Sequence, residues 1–135
     1  MDALTRGIVY ICFFVTIEVI YTAIKALVKK HDFRLKGNTQ IWVMPLYALG
    51  GLFVFEPIYQ ALAENSVLLR FVVYGVGILI IEFTAGFIFT KIVGRCPWEY
   101  TGKYNVKGLI YPPYFPLWGA VGILFEQVYK FMTTF

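Results

Sequence analysis

The chain has few of the side chains on which most soluble catalysis depends. It contains one histidine, His31, two cysteines, Cys12 and Cys96, and one serine, Ser66. Two cysteines, one inside an apolar run and one in a link, do not make a disulfide framework or a paired-cysteine metal motif. A lone histidine at the end of an apolar run gives neither a histidine-centred triad nor a transition-metal site. Ser66 lies in a short link, which argues against nucleophilic serine chemistry. There is no Gly-rich phosphate loop, so the chain is not an ATPase by itself. No cofactor or metal is expected. Charge is also scarce, at 15% of residues, where soluble domains carry about a quarter. The net charge of +4 comes from basic residues scattered at the ends of apolar runs. That is the pattern of membrane orientation, and no nucleic-acid-binding module accompanies it.

What is abundant is apolar and aromatic sequence, 59% and 19% of 135 residues. Residues 69–93, LRFVVYGVGILIIEFTAGFIFTKIV, carry one charge, Glu82, between Arg70 and Lys91. An apolar stretch of about 20 residues or more spans a bilayer as a helix. Similar stretches give spans of about 7–28, 40–62, 69–93 and 114–134. The first follows an early acid and lacks a small-residue cleavage pattern, so it is expected to be retained rather than removed as a signal peptide. The fold expected is all-α: a polytopic membrane protein with one transmembrane domain over residues 1–135, built as a four-helix bundle. In span two, Gly50-Gly51 and Glu56-Pro57 mark a bend or kink. No sequence repeat is evident.

The link between spans three and four, GRCPWEYTGKYNVKGLIYPP, is too polar to span and too aromatic for a loose linker. It is expected to be ordered, with Trp98 and Tyr100 as interfacial anchors and Trp98 at least partly buried. It reads either as a structured lid or as a ligand contact through Glu99 or Asn105. Small residues in spans three and four, Gly86 and Gly122 among them, are expected at close helix contacts, with Gly94 outside them.

Of eight acidic residues, four fall one in each span: Glu18, Glu56, Glu82 and Glu126. Counting from the assumed span ends at about 1.5 Å per residue puts them roughly 9–20 Å below one membrane boundary, within reach of a single layer. No basic residue is expected at that depth, and Lys25, Lys91 and Lys130 are nearer the ends. Four carboxylates in a dry bundle cannot all be ionised. They are therefore protonated and hydrogen-bonded between helices, or they form a site for a proton, metal ion or organic cation, or they are catalytic. Nearby Tyr and Trp suit an organic cation or serve as packing.

Several runs carry a family resemblance: IEVIYTA, GNTQIWVMPLY, EFTAGFI, CPWEYT, N-x-x-GLI, and W followed by EQ. They resemble the transmembrane protein 229 family and the related bacterial CmpB-type membrane components of type IV ABC transporters, over roughly residues 10–131. The resemblance implies a four-span membrane protein. It marks Glu18, Pro45, Tyr47, Glu82, Gly86, Trp98, Glu99, Tyr100, Asn105 and Gly108 as motif positions. Glu99 stands for the usual Asp and Thr101 for the usual Ser.

Three function classes follow. The first is a small transporter or transporter subunit with a carboxylate-lined intramembrane site for a proton, cation or amphipathic ligand. Its ligand-binding candidates are Glu18, Glu56, Glu82, Glu126, Tyr47, Trp98, Glu99 and Asn105. The second is a structural or accessory subunit of a larger membrane complex. The third is a membrane-embedded enzyme acting on a lipid-like substrate. The expected partners are the lipid bilayer and either further copies of the chain or other membrane subunits.

Nine of twelve basic residues flank or lie in the first and third links. The positive-inside rule places those links in the cytoplasm and both termini on the other side. Cysteines introduced at residues 64–66 should be labelled in sealed vesicles from the non-cytoplasmic side only. Labelling confined to the cytoplasmic side would reverse the orientation.

Overall fold

A computed structural model describes residues 1–134. Their regular structure is helical, apart from an isolated antiparallel bridge between Val106 and Ile110. The helices are α1 (Ala3–Lys30), α2 (Met44–Gly50), α3 (Glu56–Leu62), α4 (Val67–Val93) and α5 (Phe115–Thr133). A π-helical stretch, Gly51–Phe55, joins α2 to α3. Three stretches are long and apolar enough to cross a membrane: Ala3–Lys30, Ile41–Leu62 and Val67–Val93. Only 17% of the apolar window in each is buried within the chain, so most of that surface is left for lipid. The 19 residues of α5 measure about 28 Å, close to a hydrocarbon core of about 30 Å.

The chain divides into two compact units, Asp2–Leu52 and the residues from Phe53 onward. In the first, the Asp2 side chain caps α1 by accepting from the Thr5 amide at 2.7 Å. His31, in the left-handed region at φ 52°, ends the helix. Link one then folds back along α1. The Asn38 amide donates to Thr22 Oγ1 at 2.8 Å, and Gly37 lies so close to the Val19 carbonyl that a Cβ there would overlap it. Outside the span, the Arg34 guanidinium holds the Asp32 carboxyl down at about 2, so this acid stays ionised in the basic tip of the link. A 3-10 turn, Ile41–Val43, leads into α2, which packs on α1. Gly51 meets the Tyr10 ring, and Phe14 stacks on Tyr47 at 4.4 Å.

The bend expected at Gly50-Gly51 and Glu56-Pro57 takes the form of the π-helical stretch immediately before α3. Pro57 has no N–H, and its ring would crowd the carbonyl of Phe53 in a regular α-turn. Widening the helix over those residues relieves the crowding.

In the second unit, Ser66 caps α4 by accepting from the Leu69 amide at 3.3 Å, and Gly94 closes it at φ 99°. α4 packs on α5 through small residues. Gly75 lies under Phe115, Gly119 under Phe71, and Gly122 against Tyr74. Phe55 gathers an aromatic cluster with Tyr59, Tyr74, Phe125 and Tyr129, its ring centroids 5.3–6.4 Å from theirs. These separations are those of packed rings.

Link three is ordered and packed on α4. Trp98 Nε1 donates to the Leu109 carbonyl at 3.0 Å, and the indole meets Phe89 edge-on. The Tyr100 amide donates to the Gly108 carbonyl at 2.9 Å. Asn105 closes the loop, its Nδ2 donating to Gly102 O and its Oδ1 accepting from the Gly108 amide at 2.8 Å. Gly108, at φ 72°, sits in the left-handed region that a turn of this kind requires. Gly86 lets the link lie close to α4, since a Cβ there would meet Leu109 at 3.0 Å and Cys96 Sγ at 3.2 Å.

The three glycines singled out from the sequence differ in kind. A side chain at Gly122 would strike Tyr74, whereas one at Gly86 would meet the flexible end of Leu109. Gly94 has open space, but its left-handed backbone strains any L side chain. Gly77, helical and with nothing within 4 Å, is the better control. Gly122→Leu should cost about 1–3 kcal/mol of stability in detergent, with Gly86→Leu smaller and Gly77→Leu near neutral. Equal melting of all three variants would refute this ranking.

Candidate carboxylate sites

Glu126, Glu82 and Glu18 accept hydrogen bonds from different residues. Glu126, in α5, is 1% exposed. Arg70 Nε donates to its Oε2 at 2.7 Å and Arg70 Nη2 to its Oε1 at 3.3 Å. The Tyr74 hydroxyl donates to Oε2 at 2.5 Å. Arg70 also donates from Nη1 to the Asn65 carbonyl at 2.5 Å. The sequence placed no basic residue at the depth of the span carboxylates. The structure corrects this: a long side chain reaches inward from the first turn of α4, and the antiparallel packing of α4 and α5 brings Glu126 to meet it. Arg70 and Tyr74 stand four residues apart, on one helical face, and together grip the carboxylate.

Glu82 has a different partner. The Tyr100 hydroxyl, carried by link three, approaches both its oxygens, at 3.1 Å and 3.3 Å. Tyr100 is itself held by Tyr111 and Tyr114, with ring centroids at 6.0 Å and 5.9 Å. Tyr74, which binds Glu126, precedes Glu82 by eight residues, or about 12 Å along α4. Within this unit, Glu82 and Glu126 therefore belong to separate networks rather than to one cluster.

Glu18 lies in the first unit. It accepts from Thr39 Oγ1 at 2.8 Å and from the Tyr47 hydroxyl at 2.7 Å, both on its Oε2. Link one supplies Thr39 and α2 supplies Tyr47, so the fold-back of the link is what covers this carboxylate. Glu56 is 5% exposed, at the first position of α3.

The link-three candidates divide. Glu99 is exposed and pairs with Arg95 at 2.5 Å, one helical turn away in sequence. The Glu99 carboxylate raises the pKa of Arg95, which stays charged. Asn105 spends its amide on closing the loop, and Trp98 spends its N–H on Leu109. These three shape the link, and Tyr100 is the member that reaches a span carboxylate. Burial pushes the Cys96 thiol up from its ordinary value, so it stays protonated under the link.

Glu18, Glu82 and Glu126 thus each accept a hydrogen bond from a tyrosine hydroxyl: Glu18 from Tyr47, Glu82 from Tyr100 and Glu126 from Tyr74. Such a couple tolerates two states. An ionised carboxylate accepts the phenol O–H, whereas a protonated carboxyl donates its own proton to the phenol oxygen. Glu126 is the exception in charge, because Arg70 neutralises it. Sequence spacing could have found Tyr74 from Arg70 at i+4. It could not have found Tyr100, which is eighteen residues from Glu82, or Thr39, which is twenty-one from Glu18.

Arg70→Met leaves Glu126 buried without its cation and should lower the melting temperature sharply, whereas Arg70→Met with Glu126→Leu should recover most of the loss. If the double variant melts no higher than the single one, the ion pair is not what holds Glu126 in place.

No solved structure matches the chain. The family described as "Putative ABC-transporter type IV" matches it over residues 8–135, which takes in all four span carboxylates, their tyrosine partners and the whole of link three. The chain belongs to that family.

Proposed function

We propose that this membrane protein is the spanning component of a transport system in which Glu82 carries a proton and link three is its lid. Membership of a transporter-type family and three membrane-length apolar stretches support a transport-related membrane protein. The observation that carries the finer reading is the hydrogen bond from Tyr100 to Glu82. It ties an intramembrane carboxylate to the one long polar link of the chain. A change in the protonation of Glu82 changes what holds that link down, and movement of the link changes the access of water to Glu82. An ionisable carboxylate at membrane depth is costly, which makes it a functional-site candidate, and proton relays are a common use.

The donor set favours a proton over a bare metal cation. A dehydrated Ca²⁺ or Mg²⁺ takes about six or more oxygen ligands. Among the described residues no three His, Cys, Asp or Glu side chains come together to hold such an ion, and the Tyr100 phenol on Glu82 suits proton exchange. An organic cation would need space between aromatic rings, but Tyr100, Tyr111 and Tyr114 lie in mutual contact, with Tyr111 and Tyr114 4.9 Å apart. In this reading α5 is the fourth crossing, the basic links face the cytoplasm, and copies of the chain or partner subunits complete the path. ATP hydrolysis, if it drives the path, belongs to a partner chain.

The accessory-subunit reading has one observation in its favour. The Arg70–Glu126 pair satisfies both of its charges internally and fastens α4 to α5, as a structural role requires. Reconstituted vesicles holding a pH-sensitive dye separate the two. After an imposed pH step, Glu82→Gln should reduce proton entry to that of empty vesicles while leaving the melting temperature near wild type. Tyr100→Phe should leave proton entry measurable but shift its dependence on pH. Wild-type entry in Glu82→Gln, together with destabilisation in Glu82→Leu, would favour the accessory role.

A further inference from the structure

The two long helices begin and proceed alike. Asp2 and Ser66 are both extended N-caps whose side chains accept from the amide three residues on. The helices that follow run for 28 and 27 residues, and each closes on a left-handed residue, His31 or Gly94. The interval from Asp2 to Ser66, sixty-four positions, also separates Tyr10 from Tyr74, each almost fully buried. The same interval separates Glu18 from Glu82. In the first unit Tyr10 receives Gly51, and in the second Tyr74 receives Gly122.

The second halves correspond at a constant interval of seventy-one positions. The 3-10 turn Ile41–Val43 matches Pro112–Tyr114, and in each case a helix begins at the next residue with proline in its first turn, Pro45 or Pro116. Gly51 and Gly122 share this interval, and so do Ala48, which faces Gly7, and Gly119, which faces Phe71. The change of interval by seven reflects the greater length of link three, offset by one residue because α4 is one residue shorter than α1. Tyr10 and Tyr74, Glu18 and Glu82, Pro45 and Pro116, and Gly51 and Gly122 are identical pairs, but they are widely spaced and fall at two different intervals, so the repeat stands out in the geometry rather than in the sequence.

We infer that the chain is two copies of one helix–link–helix unit and that Glu18 is the functional counterpart of Glu82, so that each chain carries two proton-binding carboxylates. In both copies the link after the long helix returns to lay a hydroxyl on the carboxylate: Thr39 on Glu18 and Tyr100 on Glu82. In the first copy a second donor comes from the following helix, Tyr47. Its counterpart at the same register is Trp118, whose Nε1–H is the one buried side-chain donor without a partner among the described residues. The second copy thus keeps, at the position where the first engages Tyr47, a buried donor that is not yet engaged. Proton uptake at either site turns the carboxylate into a neutral carboxyl, whose O–H then donates to the hydroxyl oxygen that had donated to it. The single glutamate of the proposed function becomes one of a pair, and this inference rests on that reading.

The test is proton uptake at equilibrium, followed by the protonated-carboxyl stretch in infrared difference spectra of the full chain in lipid, together with proton entry into vesicles. Each of Glu18→Gln and Glu82→Gln should lose about half of the uptake that the double variant loses, since independent sites add. The two single variants should also reduce proton entry alike, each to that of empty vesicles. Wild-type uptake and entry in Glu18→Gln, with both lost in Glu82→Gln, would overturn the pairing and leave Glu82 as the proton carrier. Wild-type behaviour in both single variants would overturn the pairing and the proposed function together. If Glu18→Gln does not fold, Tyr47→Phe takes its place, because it removes the hydroxyl and keeps the ring on Phe14. It should shift the pH of one half of the uptake and not the other, and no shift would overturn the inference.

Discussion

A carboxylate inside an apolar helix needs a hydrogen-bond donor, because an unsatisfied charge among apolar groups is costly. This constraint organises much of the structure. Glu126 is answered by Arg70 and Tyr74, Glu82 by Tyr100, and Glu18 by Thr39 and Tyr47. Two of these answers come from links rather than helices. Links one and three fold back along α1 and α4, and their hydrogen bonds to Glu18 and Glu82 are among the contacts that hold them there.

Close packing makes those answers geometrically possible. Gly37 lets link one lie on the Val19 carbonyl, and Gly86 lets link three lie on α4. Gly119 and Gly122 bring α5 near enough to α4 for Glu126 to reach both Arg70 and Tyr74. Between apolar helices in lipid, association depends on contact rather than on expulsion of water, so small residues facing large rings carry much of it. The small residues and the carboxylates are thus parts of one arrangement. A glycine sets how close the backbones come, and that separation decides which hydroxyl or guanidinium reaches the acid.

Chemically, the three tyrosine-bonded carboxylates fall into two kinds. The Glu126 site is charge-balanced by Arg70 and fastens two helices. Glu18 and Glu82 are covered by segments that leave the helical core and return to it. A carboxylate covered in this way is linked to whatever moves its cover, and this distinguishes a potential proton carrier from a strut.

The sequence by itself determined the helical class, the apolar stretches, the ordered third link and which four acids sit within them. Those properties follow from local composition and periodicity: long runs without charge, prolines and glycines as punctuation, aromatics at span ends. Through the family resemblance it also marked Tyr47 and Tyr100, though without saying what they touch. The tertiary structure decided the pairing. Arg70 counts as a span-end cation until α5 is packed against α4, because its reach depends on a neighbour that is fifty-six residues away in sequence. Glu99 and Asn105 stand out in the sequence without showing what they touch, and in the folded link one pairs with Arg95 and the other closes the turn. The likeness of Glu18 to Glu82 lies in links of different length that return to lay different hydroxyls, Thr39 and Tyr100, on the acid, so it becomes visible only when the chain is folded.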